Sequence, residues 1–142
     1  MELDDWLAQI PAALRDSPVW KVRAYQIGAF TAAAAATDAI EAERRPRFAH
    51  VAPQLVRAAG SIAANIAEGY SRQSHRERIK YYEYALGSAR EASSWYSLIS
   101  PTLTPGALEQ RLTYLARVSQ LLLKMIHNER NGLANNSPRR IA

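Results

Sequence analysis

The fold class this sequence predicts is all-α, an up-down-up-down antiparallel four-helix bundle, and three observations predict it. Apolar residues recur at the three- and four-residue spacing of a helix through four long stretches. Seven prolines and six glycines fall mostly singly and punctuate those stretches instead of clustering. The composition is rich in Ala and poor in β-branched runs, and the connections are short, which favours antiparallel neighbours. With 142 residues, 48% of them apolar and 22% charged, the chain supports one core and one domain.

Residues 1–16 read as an N-terminal amphipathic extension, with Leu3, Trp6, Leu7 and Ile10 grouped before Pro11. The bundle is expected over residues 17–132. Its first helix opens at Ser17-Pro18, an N-cap followed by a proline whose missing N–H costs nothing at the first helical position. Trp20, Ala24, Ile27, Thr31 and Ala34 form its stripe, and it ends near Glu43. The thin side chains of Ala32 to Ala36 let a neighbouring helix approach closely. The second helix starts at Pro53, buries Leu55, Ala59, Ile62 and Ile66, and stops at Gly69, where a positive φ is expected. The third opens on a capping box, Ser74-His75-Arg76-Glu77, in which the Ser oxygen and the Glu carboxylate each satisfy a free backbone N–H. It ends before Pro101. The fourth begins at Thr104-Pro105, buries Leu108, Leu112, Leu115, Leu122 and Met125, and closes at Asn131-Gly132. Residues 133–142 read as a basic flexible tail.

Composition narrows the function classes. The absence of Cys excludes a disulfide framework, thiolate metal sites and cysteine nucleophiles. No apolar stretch approaches the roughly 20 residues that cross a bilayer, and the acidic start Met1-Glu2-Leu3-Asp4-Asp5 lacks the basic lead of a signal peptide. A cytoplasmic protein with no membrane partner is expected, and the Asn135-Asn136-Ser137 sequon is then a chance match. His50, His75 and His127 show no metal-ligand spacing; His75 reads as a solvated first-turn residue and His127 as a last-turn residue favourable to the helix dipole. No nucleophile elbow, phosphate loop or dinucleotide turn is present. No catalytic, cofactor-binding or metal residue is therefore assigned.

Charge is unevenly spread within a formal net of +5: residues 1–43 carry three basic and seven acidic side chains, and residues 44–80 carry eight and two. Arg44, Arg45 and Arg47, then Arg72, Arg76, Arg78 and Lys80, are candidate RNA contacts at opposite ends of the bundle, with Arg139 and Arg140 as a third group. Solubility charge is the other reading. The third helix carries two faces: Ile79, Tyr82, Leu86, Ala89, Ser93 and Tyr96 on one, Tyr81, Tyr84, Ser88 and Trp95 on the other. The second face is the candidate oligomer interface, with exposed tyrosines as the alternative. Asn65 and Glu68 share a helix face and read either as a small acid–base pocket or as groups that tie the turn to neighbours such as Arg72. Glu91 is expected to pair with Arg57 or with a basic residue of another subunit.

From Gln54 through Arg57 to Asn65-Ile66-Ala67-Glu68-Gly69, and again at Ala85-Leu86-Gly87-Ser88-Ala89-Arg90-Glu91, the chain resembles the bacterial four-helix-bundle proteins known as 23S rRNA intervening-sequence proteins. Val19-Trp20-Lys21 is similar to the start of that family's first helix, and the resemblance runs from about Val19 to Arg130. It implies the bundle, a homopentameric ring, and no established enzymatic activity or cofactor. A similar bundle, the accessory variability determinant of diversity-generating retroelements, binds a reverse transcriptase and nucleic acid, but usually lacks Asn-Ile-Ala-Glu-Gly. This chain departs from the family in its Ala32 to Ala36 run and in its extra terminal segments. The resulting expectation is a non-enzymatic oligomeric scaffold that contacts RNA or an RNA-handling protein. Its alternative is a protein-binding assembly module with no nucleic-acid role, with an enzyme centred on Asn65 and Glu68 in third place.

Overall fold

Four long helices pack in a closed circuit in the computed structural model, which describes residues 1–136. In chain order the helices are α1 (Leu3–Gln9), α2 (Ala12–Arg15), α3 (Arg23–Glu43), α4 (Ala52–Tyr70), α5 (His75–Ile99) and α6 (Pro105–Asn136). Short 3₁₀ turns precede α3 and α6, and no strand occurs among the described residues. The chain is all-helical. α3 lies on α4, α4 on α5, α5 on α6, and α6 returns to α3. No helix among the described residues is long and apolar enough to cross a membrane.

Each long helix contributes one stripe to the core. Ala24, Ile27, Thr31, Ala35, Asp38 and Ala42 line it from α3; Leu55, Ala59, Ile62 and Ile66 from α4; Tyr82, Leu86, Ala89, Tyr96 and Ile99 from α5; Leu115, Val118, Leu122 and Ile126 from α6. A fully buried Leu or Ile of this kind contributes roughly 1.5–3 kcal/mol relative to exposure. Leu108, Leu112 and Met125 are only partly buried, packed at the edge of the core. α3 and α4 approach closely at Gly28, where an added Cβ would stand 3.0 Å from Ile62 Cγ2 and 3.2 Å from the Ala63 nitrogen. Within the alanine run only Ala35 is fully buried.

Several helix ends differ from expectation. Ser17-Pro18 opens a 3₁₀ turn over Pro18–Lys21, and Val22, with ψ of 113°, breaks the chain before α3 begins at Arg23. The turn lets Trp20 fold inward, where its ring meets Tyr25 at 5.0 Å and Trp6 at 6.2 Å. Trp6 and the buried Leu3 seat α1 on α3, beside Phe30. Gly69 does not stop α4, and no described residue has a positive φ. Gly69 lies inside the helix because the Tyr82 ring fills the space of a side chain: an added Cβ would stand 2.7 Å from Tyr82 Cε1. α6 likewise runs through Asn131-Gly132 to Asn136, with the His75 ring against Gly132. Residues 137–142, including Arg139 and Arg140, lie outside the described residues.

The N-caps of α5 and α6 follow side-chain chemistry. The Glu77 N–H donates to Ser74 Oγ at 3.2 Å, but the Ser74 hydroxyl turns to the Glu77 carboxylate at 3.1 Å, so only half of the capping box forms. Thr104 Oγ1 accepts from the Ala107 N–H at 3.2 Å.

Candidate interface on the outer face of α4 and α5

α5 carries two seams. The residues at 82, 86, 89, 96 and 99 face the core, while Tyr81, Tyr84, Ser88, Glu91 and Trp95 follow one another by three and four residues, as the apolar positions of a coiled coil do. Tyr84 is 52% exposed, and Leu98, the next position in the series, is 48% exposed. Tyr81, Ser88, Glu91 and Trp95 are half-buried. Gly87 adds an open stretch beside the seam, with nothing near a Cβ built there.

α4 supplies the matching row, Gln54, Arg57, Asn65 and Glu68. Arg57 crosses to the Glu91 carboxylate and also reaches Gln54 Oε1 at 3.4 Å. The Trp95 indole N–H donates to the same Glu91 oxygen at 3.2 Å, so one carboxylate holds a guanidinium and an indole in place. At the other end of the row Arg72 pairs with Glu68, donates to the Tyr81 hydroxyl at 3.3 Å and lies 5.1 Å from the Tyr81 ring centroid. Its pKa is raised above the ordinary guanidinium value, first by the Glu68 hydrogen bond and then by Tyr81. Its buried Nε has no hydrogen-bond acceptor among the described residues. Lys80 Nζ stands 5.7 Å from the Tyr81 ring and 5.9 Å from that of Tyr84, and the two rings meet edge to face at 5.9 Å. These are favourable cation–π and aromatic contacts.

Asn65 and Glu68 are not brought together as an acid–base pair. The Asn65 amide donates to the Ser61 carbonyl at 2.8 Å, and Glu68 turns to Arg72, so both tie their own helix and its following turn. Gly69 belongs to the α4–α5 contact described above.

The basic residues divide by their partners. Arg44 and Arg45 sit 3.4 and 3.5 Å from Glu41, and Arg45 also donates to the Pro101 carbonyl at 3.0 Å. Arg78 lies 3.6 Å from Glu129 and donates to the Arg72 carbonyl at 2.7 Å. Arg47, Arg76 and Lys80 have no ion pair among the described residues. The two groups flank α4, whose 19 residues span about 28 Å at the usual helical rise.

Two polar clusters escaped the sequence reading. Asp38, 7% exposed, accepts from the Tyr96 hydroxyl at 2.8 Å and from Arg111 Nε at 2.8 Å, joining α3, α5 and α6. Burial, then Asp38, pushes the Tyr96 phenol well above its ordinary range. The signal available was an acid at a stripe position, Asp38 following Thr31 and Ala35. The second cluster overturns the reading of His75 as solvated: its Nδ1 binds Glu129 and its Nε2 lies 3.3 Å from Asn136, because α6 extends far enough to cover it. His127 is not in a last turn for the same reason; it is exposed and lies 3.2 Å from the Asn131 amide. Among the described residues no group of three acidic or histidine side chains could hold a metal.

Comparison with known proteins adds three findings. A family model described as 23S rRNA-intervening sequence protein matches residues 29–126. No curated protein matches the chain. A crystal structure of a protein with unknown function from the S23 ribosomal protein family of Bacteroides thetaiotaomicron matches with a TM-score of 0.67 at 23% identity, covering 72% of this chain and 97% of that one. The likeness to that structure is one of fold.

Proposed function

The chain belongs to the 23S rRNA-intervening sequence protein family, and from that premise we propose that it is a non-enzymatic, self-associating scaffold. In this reading the four long helices form an up-down-up-down bundle, copies join through the outer face of α4 and α5, and a homopentameric ring in the cytoplasm results. One observation carries the proposal: the Tyr81, Tyr84, Ser88, Glu91, Trp95 series has coiled-coil spacing, is set apart from the buried stripe of α5 with only Trp95 packed against the core, and includes an exposed aromatic ring. A seam of that kind is uncommon on the surface of a monomer. The Arg57–Glu91–Trp95 contact holds the face in one shape, which lowers the entropy lost when a partner docks.

The test is solution mass by light scattering for the parent and for Tyr84→Ala with Trp95→Ala. A parent near five subunits that the double substitution breaks into smaller species supports the reading. A monomeric parent sinks it.

RNA contact is the second part of the proposal. Arg47, Arg76 and Lys80 favour it, since they have no acidic partner among the described residues, and a ring would repeat Arg47 around one rim and Arg76 with Lys80 around the other, raising the local field at each. Binding of this kind weakens steeply with salt. Salt-sensitive binding of RNA that falls in Arg76→Gln with Lys80→Gln supports it. No binding at low ionic strength removes it and leaves the alternative, a protein-binding assembly module with no nucleic-acid role.

A further inference from the structure

Where α4 ends and α5 begins, a cleft of about 490 Å³ is lined by Val22, Tyr70, Arg78, Tyr82, Met125 and Glu129. The residues come from the turn before α3, the last position of α4, the first turns of α5, and α6, so four separate segments fix the walls. Its volume lies in the roughly 300–1,000 Å³ range of small-molecule sites. Val22 and Glu129 fall outside residues 29–126, so the cleft is not a property of the family-matched region alone.

The polar groups in it are fixed before any ligand arrives. Glu129 is held by His75 Nδ1, and Arg78 stands 3.6 Å from it while its Nε is anchored on the Arg72 carbonyl. Tyr82 is only 4% exposed, yet its hydroxyl has no hydrogen-bond partner among the described residues, and neither has that of Tyr70. Among the described residues Arg72 Nε is the one buried side-chain polar atom without a partner, so the Tyr82 oxygen itself reaches solvent, in the cleft that Tyr82 lines, and is free to meet a ligand there. Burial and Glu129 raise the Tyr82 pKa, so the hydroxyl remains a donor at neutral pH.

Charge and shape narrow the ligand. Glu129 opposes a phosphate and Arg78 opposes a cation or metal, and together they cancel. A neutral molecule with both hydrogen-bond donors and acceptors fits that edge, and the exposed Tyr70 ring with a polarisable thioether suits a flat aromatic face. We propose that this cleft receives a nucleobase-type heterocycle, which accepts from the Tyr82 hydroxyl and Arg78, donates an N–H to Glu129, and lies against Tyr70 and Met125. Such a ring comes either as a free nucleoside or as an unpaired base of RNA. The second source rests on the RNA reading above; the first does not.

The test follows the Met125 methyl signal of the full chain by NMR during titration with adenosine, guanosine, cytidine and uridine, and with single-stranded hexaribonucleotides of the same bases. A saturating shift is expected with at least one of them, weakened about five- to tenfold by Tyr82→Phe, the loss of one hydrogen bond. Met125→Trp, which fills the cleft, abolishes it, and Arg76→Gln with Lys80→Gln leaves nucleoside binding unchanged. A response to nucleosides identifies the free ligand as a sufficient source; a response to oligonucleotides alone, with the same Tyr82→Phe loss, identifies RNA. Because the Tyr82 hydroxyl has no partner among the described residues, Tyr82→Phe leaves the Tm of the ligand-free chain unchanged. A lowered Tm, equal affinity in Tyr82→Phe, or no Met125 response to any probe at millimolar concentration overturns the proposal. Loss of RNA binding at Arg76 and Lys80 with the nucleoside response intact would separate failure of the phosphate reading from failure of this one.

Discussion

Replacing Arg111 by Met tests whether the Asp38 cluster holds α3, α5 and α6 together. Asp38 is 8% exposed at its side chain and Arg111 16%, and the guanidinium grips both carboxylate oxygens, Nε to Oδ2 at 2.8 Å and Nη2 to Oδ1 at 3.3 Å. Removing the cation leaves a buried carboxylate with the Tyr96 hydroxyl as its remaining donor. Breaking a buried pair from one side costs about 3–5 kcal/mol, and water at the edge of Arg111 places this case at the lower end. A loss of about 3 kcal/mol lowers Tm by about 10 °C for a chain of this length. Urea unfolding followed by far-UV circular dichroism measures it, at one fixed chain concentration because assembly contributes to apparent stability. The triple change Asp38→Leu, Tyr96→Phe, Arg111→Met removes every charge and hydroxyl of the cluster at similar volume and is expected to recover most of the loss. A single-mutant loss below about 1 kcal/mol, or a triple mutant less stable than the single, would refute the reasoning.

Two further outcomes follow from packing and ionisation. Gly69→Ala places a methyl 2.7 Å from a buried ring carbon of Tyr82 and is expected to cost about 1–3 kcal/mol by overpacking, whereas Gly60→Ala on the same helix meets nothing within 4 Å and is expected to stabilise by up to about 1 kcal/mol; chemical denaturation of the pair separates packing from helix propensity. Burial and Asp38 raise the Tyr96 pKa from its ordinary 10.0, so above about pH 10 the unfolded chain releases a proton that the folded chain keeps. Stability is then whole below that pH and falls as pH rises, by up to about 1.4 kcal/mol per pH unit from this group. Tyr96→Phe flattens the decline, and Tyr82, shifted in the same direction, retains a smaller part of it.

Local chemistry explains which parts were legible beforehand. The stripe Leu55, Ala59, Ile62, Ile66 and the caps at Ser74 and Thr104 depend on spacing and on side chains that bind their own turn, so sequence shows them directly. Arg57 and Glu91 were expected to pair, with each other or across subunits, and they meet within one chain. Gly69 and Gly132 misled the reading of helix ends, since a glycine that ends a helix and one that admits a neighbouring ring look alike in sequence. Val22 breaking the chain before α3 had no sequence signal, because the break follows from Trp20 turning in to meet Tyr25 and Trp6.

By itself, the sequence determined the all-helical class, the four long helices, most of their buried stripes and the second seam of α5, because helical periodicity and capping are properties of neighbours along the chain. Only the tertiary structure decided that Asp38 meets Arg111, that His75 is covered by α6, and that Tyr70, Tyr82 and Glu129 converge on one cleft. Those contacts join residues dozens of positions apart, so their partners are chosen by how the helices stack and how far α6 continues. The free energy of burying a charge or a phenol depends on those partners, and no local pattern encodes it.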